Sequence, residues 1–352
     1  MREAGAHRAA RRAAHPVAYL AATLRRGLAL FVTLARIMVP VFLIVRLAEL
    51  VGIVDAMGAW AGPLMGPVGL PPGAGIAFVA CVLVGPPAGI AALAVLAEPI
   101  TVAQASTLAT MMLIAHALPV ESAIVAKAAN ADRSTDRSTV AGPSGGGGTR
   151  GGSGHRAAFW RAFAANFAFR LLAAYLFGAL AHLVFAATGW MGEPVDLSHL
   201  SGGEGGAGEG PAGWGEWLVS SATLLATILV VILALVVLLD AMERTGATAL
   251  FARAMAPVLR AAGLTERTTP LVTIGMLLGL TYGAGLIIRE IEDGGIPPGP
   301  RALALAWLSL SHSVIEDTGL MLLIGGSLWV TLAARLAFTL AVVRVVALAR
   351  RA

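Results

Sequence analysis

Eight apolar segments occupy most of this chain, at about residues 27–50, 73–97, 103–128, 157–188, 216–241, 268–288, 302–324 and 327–349. Each reaches or exceeds the ~20 residues that cross a bilayer core. The chain is 57% hydrophobic and only 13% charged, against about 25% charged residues in soluble domains. The fold class that follows is an all-α polytopic membrane protein, and 352 residues leave no room for a sizeable soluble enzyme domain.

The net charge of +5 does not point to nucleic acid. The arginines sit in short loops and at the two ends, where the positive-inside rule places them. Cys81 is the single cysteine, so an intrachain disulfide and C-x-x-C metal or redox motifs are excluded. Residues 1–26, with Arg8, Arg11, Arg12, Arg25 and Arg26, read as a basic cytoplasmic N-terminal segment. The apolar run that follows from Leu28 is longer than the ~7–15 residues of a signal-peptide core, which argues against cleavage.

Two polar linkers interrupt the apolar segments. Residues 130–156 are Gly/Ser-rich and carry Arg133, Arg137, Arg150 and Arg156, a composition expected to be flexible. Residues 189–214 are Gly-rich and acidic, with Glu193, Asp196, Glu204 and Glu209 and no Lys or Arg.

The two halves repeat. Glu49 and Gly52 match Glu243 and Gly246 at an offset of 194, as do Gly69-Leu70 and Gly263-Leu264. Gly85-Pro86-Pro87-Ala-Gly89 matches Thr281-Tyr282-Gly283-Ala-Gly285 at 196, His116 matches His312 at 196, and Glu121 matches Glu316 at 195. Beyond these motifs Trp160 matches Trp329 at 169. The fall from 196 to 169 is 27 residues, the length of linker 130–156, which therefore reads as an insertion into the first copy. The chain divides into a first repeat at 27–129, closed by a last helix at 157–188, and a second repeat at 215–352.

Charge suggests the topology. If segments 73–97 and 268–288 are re-entrant hairpins, both termini, linker 130–156 and loops 244–267 and 289–301 fall on the cytoplasmic side of the inner membrane, and the acidic linker falls outside. Arg46 remains awkward, near the outer end of the first helix. The hairpins have a local cause. Gly85-Pro86-Pro87 removes two backbone donors, and Gly283 with Gly285 permits unusual backbone angles. Each arm of ~10–12 residues reaches about 16 Å, to the midplane. A kinked spanning helix is the alternative. With hairpins, each repeat has about three transmembrane helices, and this odd number makes the second copy enter from the opposite face. Inverted repeats with broken helices at the midplane are a common secondary-transporter design.

The polar residues inside these segments carry the chemistry. His116-Ala-Leu-Pro-Val-Glu121-Ser122 lies in segment 103–128, and His312-Ser-Val-Ile-Glu316-Asp317-Thr318 in 302–324. Charges in hydrocarbon cost roughly 2.5–3.5 kcal/mol on insertion scales, so such residues usually serve function. Pro119 interrupts the first helix, and Ser122 or water can satisfy the freed backbone. Glu121 then falls in the first turn of the second half-helix, where the dipole favours a carboxylate. Glu121 and Glu316 can contact a solute or a coupling ion, and His116 and His312 can exchange protons near neutral pH. Two histidines and two or three carboxylates also suffice for a divalent-metal site, although separations of five and four residues do not specify one. The bland reading is that each His pairs with its neighbouring Glu and locks helix packing. Thr281 and Tyr282 fall at the expected tip of the second hairpin, while Arg36 and Arg170 read as side chains snorkelling to the interface. No G-x-x-x-x-G-K-[ST] loop is present, so ATP- or GTP-driven transport within this chain is unsupported.

At His116-Ala-Leu-Pro-Val-Glu121-Ser-Ala-Ile-Val and Ser311-His312-Ser-Val-Ile-Glu316-Asp317-Thr-Gly-Leu, with the Gly-rich breaks at 85–89 and 281–285, the chain resembles the Gate or nucleoside-recognition superfamily of membrane proteins. That superfamily includes spore maturation proteins, the membrane part of bacterial ferrous-iron transporters and relatives of concentrative nucleoside transporters. The resemblance covers most of 27–129 and 216–349, plus 157–188. It implies two inverted gate-like repeats and a transporter-like role.

The expected function is a non-enzymatic secondary transporter for a small polar solute, nucleoside-like in one version, with H⁺ or Na⁺ coupling and no other cofactor. A membrane scaffold resembling the spore maturation proteins and a divalent-metal permease are the alternatives. The expected partners are the solute and the lipid bilayer, without nucleic acid. A homo-oligomer or a membrane partner protein stays open.

Overall fold

The computed structural model describes residues 16–52, 62–96, 99–130, 150–197, 213–292 and 296–350. The expectations on Arg8, Arg11, Arg12, Arg133, Arg137 and the acidic residues 204 and 209 lie outside them, as do those on the side chains of residues 281–295. Among the described residues the fold is all helical. In order come α1 (Pro16–Leu50), a 3-10 turn (Gly66–Val68), α2 (Ala74–Leu83), α3 (Pro86–Leu96), α4 (Val102–Ala115), α5 (Leu118–Ala129) and α6 (Arg150–Thr188). The second half has α7 (Trp214–Thr245), α8 (Ala247–Ala261), α9 (Thr269–Glu292), α10 (Pro298–Leu310), α11 (Glu316–Met321), a π-helical turn (Trp329–Ala334) and α12 (Arg335–Ala349).

Among the described residues, Thr23–Ile44, Gly154–Thr188, Trp214–Thr245 and Trp329–Ala349 are each long and apolar enough to cross a membrane. The pair α4–α5, bent by 41°, makes a fifth candidate. Its counterpart α10–α11 is broken more deeply, by the five residues 311–315. Loop 244–267 is largely a helix, α8, rather than an open loop.

The core forms around α4, where twelve of fourteen residues are buried. A helix that is apolar on every side belongs at the centre of a bundle. Its buried hydroxyls are satisfied internally, since Ser106, Thr107 and Thr110 donate to the carbonyls of Val102, Ala103 and Ser106 at 2.6–2.8 Å. Thr101 caps its start in a reciprocal arrangement with Gln104. The long α6 packs along α4 and α5. They approach closely at Gly178, where a Cβ would stand 2.6 Å from the Met111 sulfur.

The backbone repeats as the sequence does. Gly52 and Gly246, Gly69 and Gly263, and Gly85 and Gly279 all have positive φ, and each pair is separated by 194 residues. Ala117 (φ 44°) and Ser313 (φ 47°) repeat the device with non-glycine residues, one position after each histidine. The first helices of the two halves, α1 and α7, run antiparallel. Arg26 near one end meets Asp240 at 3.4 Å, Gly27 abuts Leu233, and at the other end the Arg46 guanidinium lies 6.0 Å from the Trp214 ring centroid. Equivalent helices running in opposite senses are what inverted copies require. The Trp214 contact also accounts for the position of Arg46, because an aromatic face attracts a guanidinium.

Segment 73–97 is a hairpin. Gly89 of α3 lies so close to Cys81 and Ala77 of α2 that a Cβ there would stand 2.8 Å from the Cys81 Cβ and 3.0 Å from the Ala77 carbonyl oxygen. Residues eight and twelve positions apart can meet in this way only if the chain folds back. The reversal occurs at Gly85 (φ 138°), with Pro86 and Pro87 in the first turn of α3, where a missing N–H leaves no gap. Gly89 therefore serves the crossing of the arms rather than the tip.

The second break is displaced from the sequence expectation. The non-helical residue in α9 is Gly279 (φ 76°, ψ 162°), whereas Thr281, Tyr282, Gly283 and Gly285 all lie in helical backbone beyond it. The offset of 194 linking Gly85 to Gly279 governs the hairpins, not 196. The reason is conformational, because only the residue whose backbone leaves the helix must be glycine. Gly279→Ala should therefore destabilise the protein by about 1–3 kcal/mol. Gly283→Ala should be neutral or stabilising by up to ~1 kcal/mol. Thermal unfolding of both variants in detergent checks the register, and equal effects would contradict it.

Candidate functional site

Both broken helices open at their histidines. After α4, His116 has extended angles (φ −80°, ψ 156°), Ala117 is left-handed, and α5 starts at Leu118. After α10, His312 and Ser313 occupy the same two places. In each case the left-handed residue is tied to the neighbouring hairpin arm. Ala117 N donates to the Cys81 carbonyl at 3.0 Å, and Ser313 N donates to the Gly275 carbonyl at 3.3 Å. Cys81 and Gly275 are again 194 residues apart.

The carbonyls freed by the breaks are met by two buried arginines. Arg170 of α6 donates from Nε to the Ile114 carbonyl at 2.8 Å, and Arg335 of α12 donates from Nε to the Leu310 carbonyl at 3.0 Å. Ile114 and Leu310 each lie two residues before their histidine, so the two arginines do equivalent work 165 residues apart. Arg335 also donates to the His312 carbonyl at 3.0 Å. Arg170 is fully buried and bonds the Glu121 carboxylate through Oε2. It does not snorkel, because its guanidinium is consumed by a helix break and an ion pair in the core.

Four side chains converge between the breaks. His312 Nε2 lies 2.9 Å from Glu121 Oε1 and 2.9 Å from His116 Nε2. His116 Nε2 lies 3.3 Å from Glu121 Oε1 and 3.4 Å from Asp317 Oδ2. His312 thus faces the carboxylate of the opposite half, while His116 reaches both Glu121 of its own half and Asp317 of the other. His116, Glu121 and His312 are all at most 3% exposed. The counterpart of Glu121 is Asp317, at the offset of 196 that also relates the histidines, and not Glu316. In this packing the side chain one position later in the first turn of α11 reaches His116.

The remaining expected residues fall around this centre. Glu316 lines the adjoining cavity beside Asp317. Ser122 is buried and accepts from Asn166 Nδ2 at 3.1 Å, and Asn166 Oδ1 in turn accepts from Ser309 at 2.7 Å, which joins the two halves. Thr318 is buried next to Asp317. The cavity, of about 160 Å³, is walled by the hairpin turn at Gly85–Pro87, by the break of α9 at Leu278–Leu280, by both broken helices, and by Leu30 and Thr33 of α1.

Arg335, Asn166 and Gly279 are site residues that the sequence reading passed over, and Arg170 is one that it read as snorkelling. The arginines did leave a signal, for each stands inside an apolar segment rather than at its edge, where a cation needs a partner.

Residues 225–328, from α7 to beyond α11, match the Gate family model, whose description is nucleoside recognition. Over that stretch the chain is similar to the Gate family. The matched stretch contains His312, Glu316 and Asp317, while His116 and Glu121 come from the other half of the chain. A curated relative, the uncharacterized membrane protein YvoD of Bacillus subtilis (strain 168), is 26% identical over 114 residues, which is 32% of this chain and 36% of YvoD. The alignment therefore spans about a third of that relative's length. No solved structure matches the chain.

Because Arg170 both bonds a helix break and balances Glu121, its loss should be severe. Arg170→Met leaves a buried carboxylate without its cation and should destabilise by about 3–5 kcal/mol. Chemical or thermal unfolding of the detergent-solubilised protein measures this, and a loss under ~1 kcal/mol, the range of exposed pairs, would contradict the assignment.

Proposed function

We propose that this Gate-like membrane protein is a secondary permease for a small polar solute, coupled to H⁺ or Na⁺, with its solute site at His116, Glu121, His312 and Asp317. The observation that carries this reading is the cavity itself. It lies where the hairpin turn at Gly85, the break of α9 and both broken helices meet, with the buried His/carboxylate cluster in its wall. Two antiparallel-related halves that each contribute a segment broken at a glycine, Gly85 and Gly279, give the site two related gates, and opening them in turn is alternating access. The distribution of arginines supports a cytoplasmic-membrane location with both termini inside.

Size bears on the solute. Ligand pockets for drug-sized molecules run to about 300–1,000 Å³, above the roughly 160 Å³ found here. A nucleoside, the solute class in the Gate description, requires the hairpin tips to part, whereas an ion or very small solute fits without rearrangement.

Flux into proteoliposomes, measured with nucleosides, small carboxylates and divalent metals, tests the reading. For the solute that passes, Glu121→Gln and Asp317→Asn should each reduce flux by about 10- to 100-fold, corresponding to the ~1.5–3 kcal/mol of a hydrogen bond to a charged group. Glu316→Gln should cost less than Asp317→Asn. A cooperatively folded protein that passes nothing in the panel would overturn the permease and favour a membrane scaffold.

A further inference from the structure

The four-residue cluster holds an electrostatic conflict as long as both of its histidines are neutral. His116 Nδ1 lies 3.2 and 3.1 Å from the carbonyls of Met112 and Leu113, and His312 Nδ1 lies 2.6 Å from the Leu308 carbonyl. A carbonyl oxygen only accepts, so both Nδ1 atoms carry the proton. In the neutral imidazoles both Nε2 atoms are then bare lone pairs. These two lone pairs face one another at 2.9 Å and share the Glu121 Oε1 atom, at 3.3 and 2.9 Å. Asp317 Oδ2 adds a fourth acceptor 3.4 Å from His116. With both imidazoles neutral, four acceptors converge with no donor among them, and either a proton shared by the cluster or a bound cation offsets their repulsion.

We infer that the cluster is a binding site for a divalent first-row transition-metal ion, held by the Nε2 atoms of His116 and His312 and by the Glu121 carboxylate, whose ligand atoms all lie within 4.8 Å of one another, with a fourth position left open. The inference rests on the proposed permease only in making that ion the solute carried. Three independent features fit. A four-coordinate tetrahedral ion with bonds of ~2.0–2.1 Å sets its donors about 3.3–3.4 Å apart, close to the 2.9–3.3 Å among the three ligand atoms here. Each imidazole donates its other N–H to backbone, and the second oxygen of Glu121 is bonded by Arg170. Such outer contacts are what orient metal ligands. The donor set of two imidazoles and a carboxylate suits borderline ions such as Zn²⁺, Fe²⁺ or Co²⁺, whereas Mg²⁺ and Ca²⁺ favour oxygen alone. The cavity of about 160 Å³ beside the cluster gives a small ion a way in.

The test uses the full chain in detergent, with Zn²⁺ by calorimetry and Co²⁺ by visible absorption, followed by Zn²⁺ uptake into proteoliposomes. The expected result is one ion per chain, with the intense absorption of four-coordinate Co²⁺. His312→Asn, which keeps a donor near the Leu308 carbonyl and removes the Nε2 ligand, should weaken Zn²⁺ binding by more than about 100-fold, the upper end for losing a mere outer contact. Cys81→Ala should bind as the parent does, since no thiolate is invoked. X-ray absorption of the Zn²⁺-loaded parent protein needs no variant to fold, and should show nitrogen and oxygen neighbours at about 2.0–2.2 Å with no sulfur at ~2.3 Å. Absence of binding by a protein that melts cooperatively, or binding undiminished in His312→Asn, overturns the inference and leaves a shared proton to reconcile the lone pairs. Binding without uptake upholds the metal site and removes the permease, and nucleoside flux without metal binding does the reverse.

Discussion

A helix broken inside an apolar medium leaves carbonyl and amide groups that water cannot reach, each costing several kcal/mol if unmet. The rest of this architecture answers that constraint. The amide after each break is taken up by a carbonyl of the adjacent hairpin arm, at Cys81 and Gly275. The carbonyls before each break are taken up by Arg170 and Arg335. Satisfying the breaks fixes where the hairpins sit, and the hairpins bring their tips against the histidines. The two halves use one solution twice, in the same order along the chain, so the polar centre follows from the backbone as much as from the side chains that decorate it.

Charge at that centre is balanced across the halves as well as within the first, where His116 Nε2 lies 3.3 Å from Glu121 Oε1. Glu121 belongs to the first half and is gripped by Arg170, but its free oxygen points to His312 of the second. Asp317 returns the gesture toward His116. A bland arrangement would pair each histidine with its own neighbouring carboxylate. The crossed arrangement makes the site dependent on both halves being docked, and a relative movement of the halves changes the site directly. This is the physical link between gating and binding that a permease requires.

Much of this was legible in the sequence. The apolar segments gave the membrane fold, and the paired histidines marked the polar centre, because a polar motif placed twice in hydrocarbon is too costly to stand idle; the break at His312, where no proline stands, left no such mark. Finer placement was not legible where neighbouring residues offered the same chemistry. Glu316 and Asp317 are adjacent carboxylates, and only the direction of the first turn of α11 decides which one reaches His116. Gly279, Gly283 and Gly285 are alike in composition, and only the backbone angle at Gly279 shows which one is required. Arg170 was misread for a different reason. A lone arginine in a long apolar helix has a satisfactory account in snorkelling, and its true partners, the Ile114 carbonyl and Glu121, lie far away in sequence.

The central claim is that His312 of one half and Glu121 of the other act on each other inside the membrane. A double-mutant cycle on stability with Glu121→Gln and His312→Asn measures this most directly. The account predicts a coupling energy of about 1–3 kcal/mol, the range for residues sharing one buried network. Additivity within about 0.5 kcal/mol, as found for distant sites, would mean that the two halves do not meet at these residues.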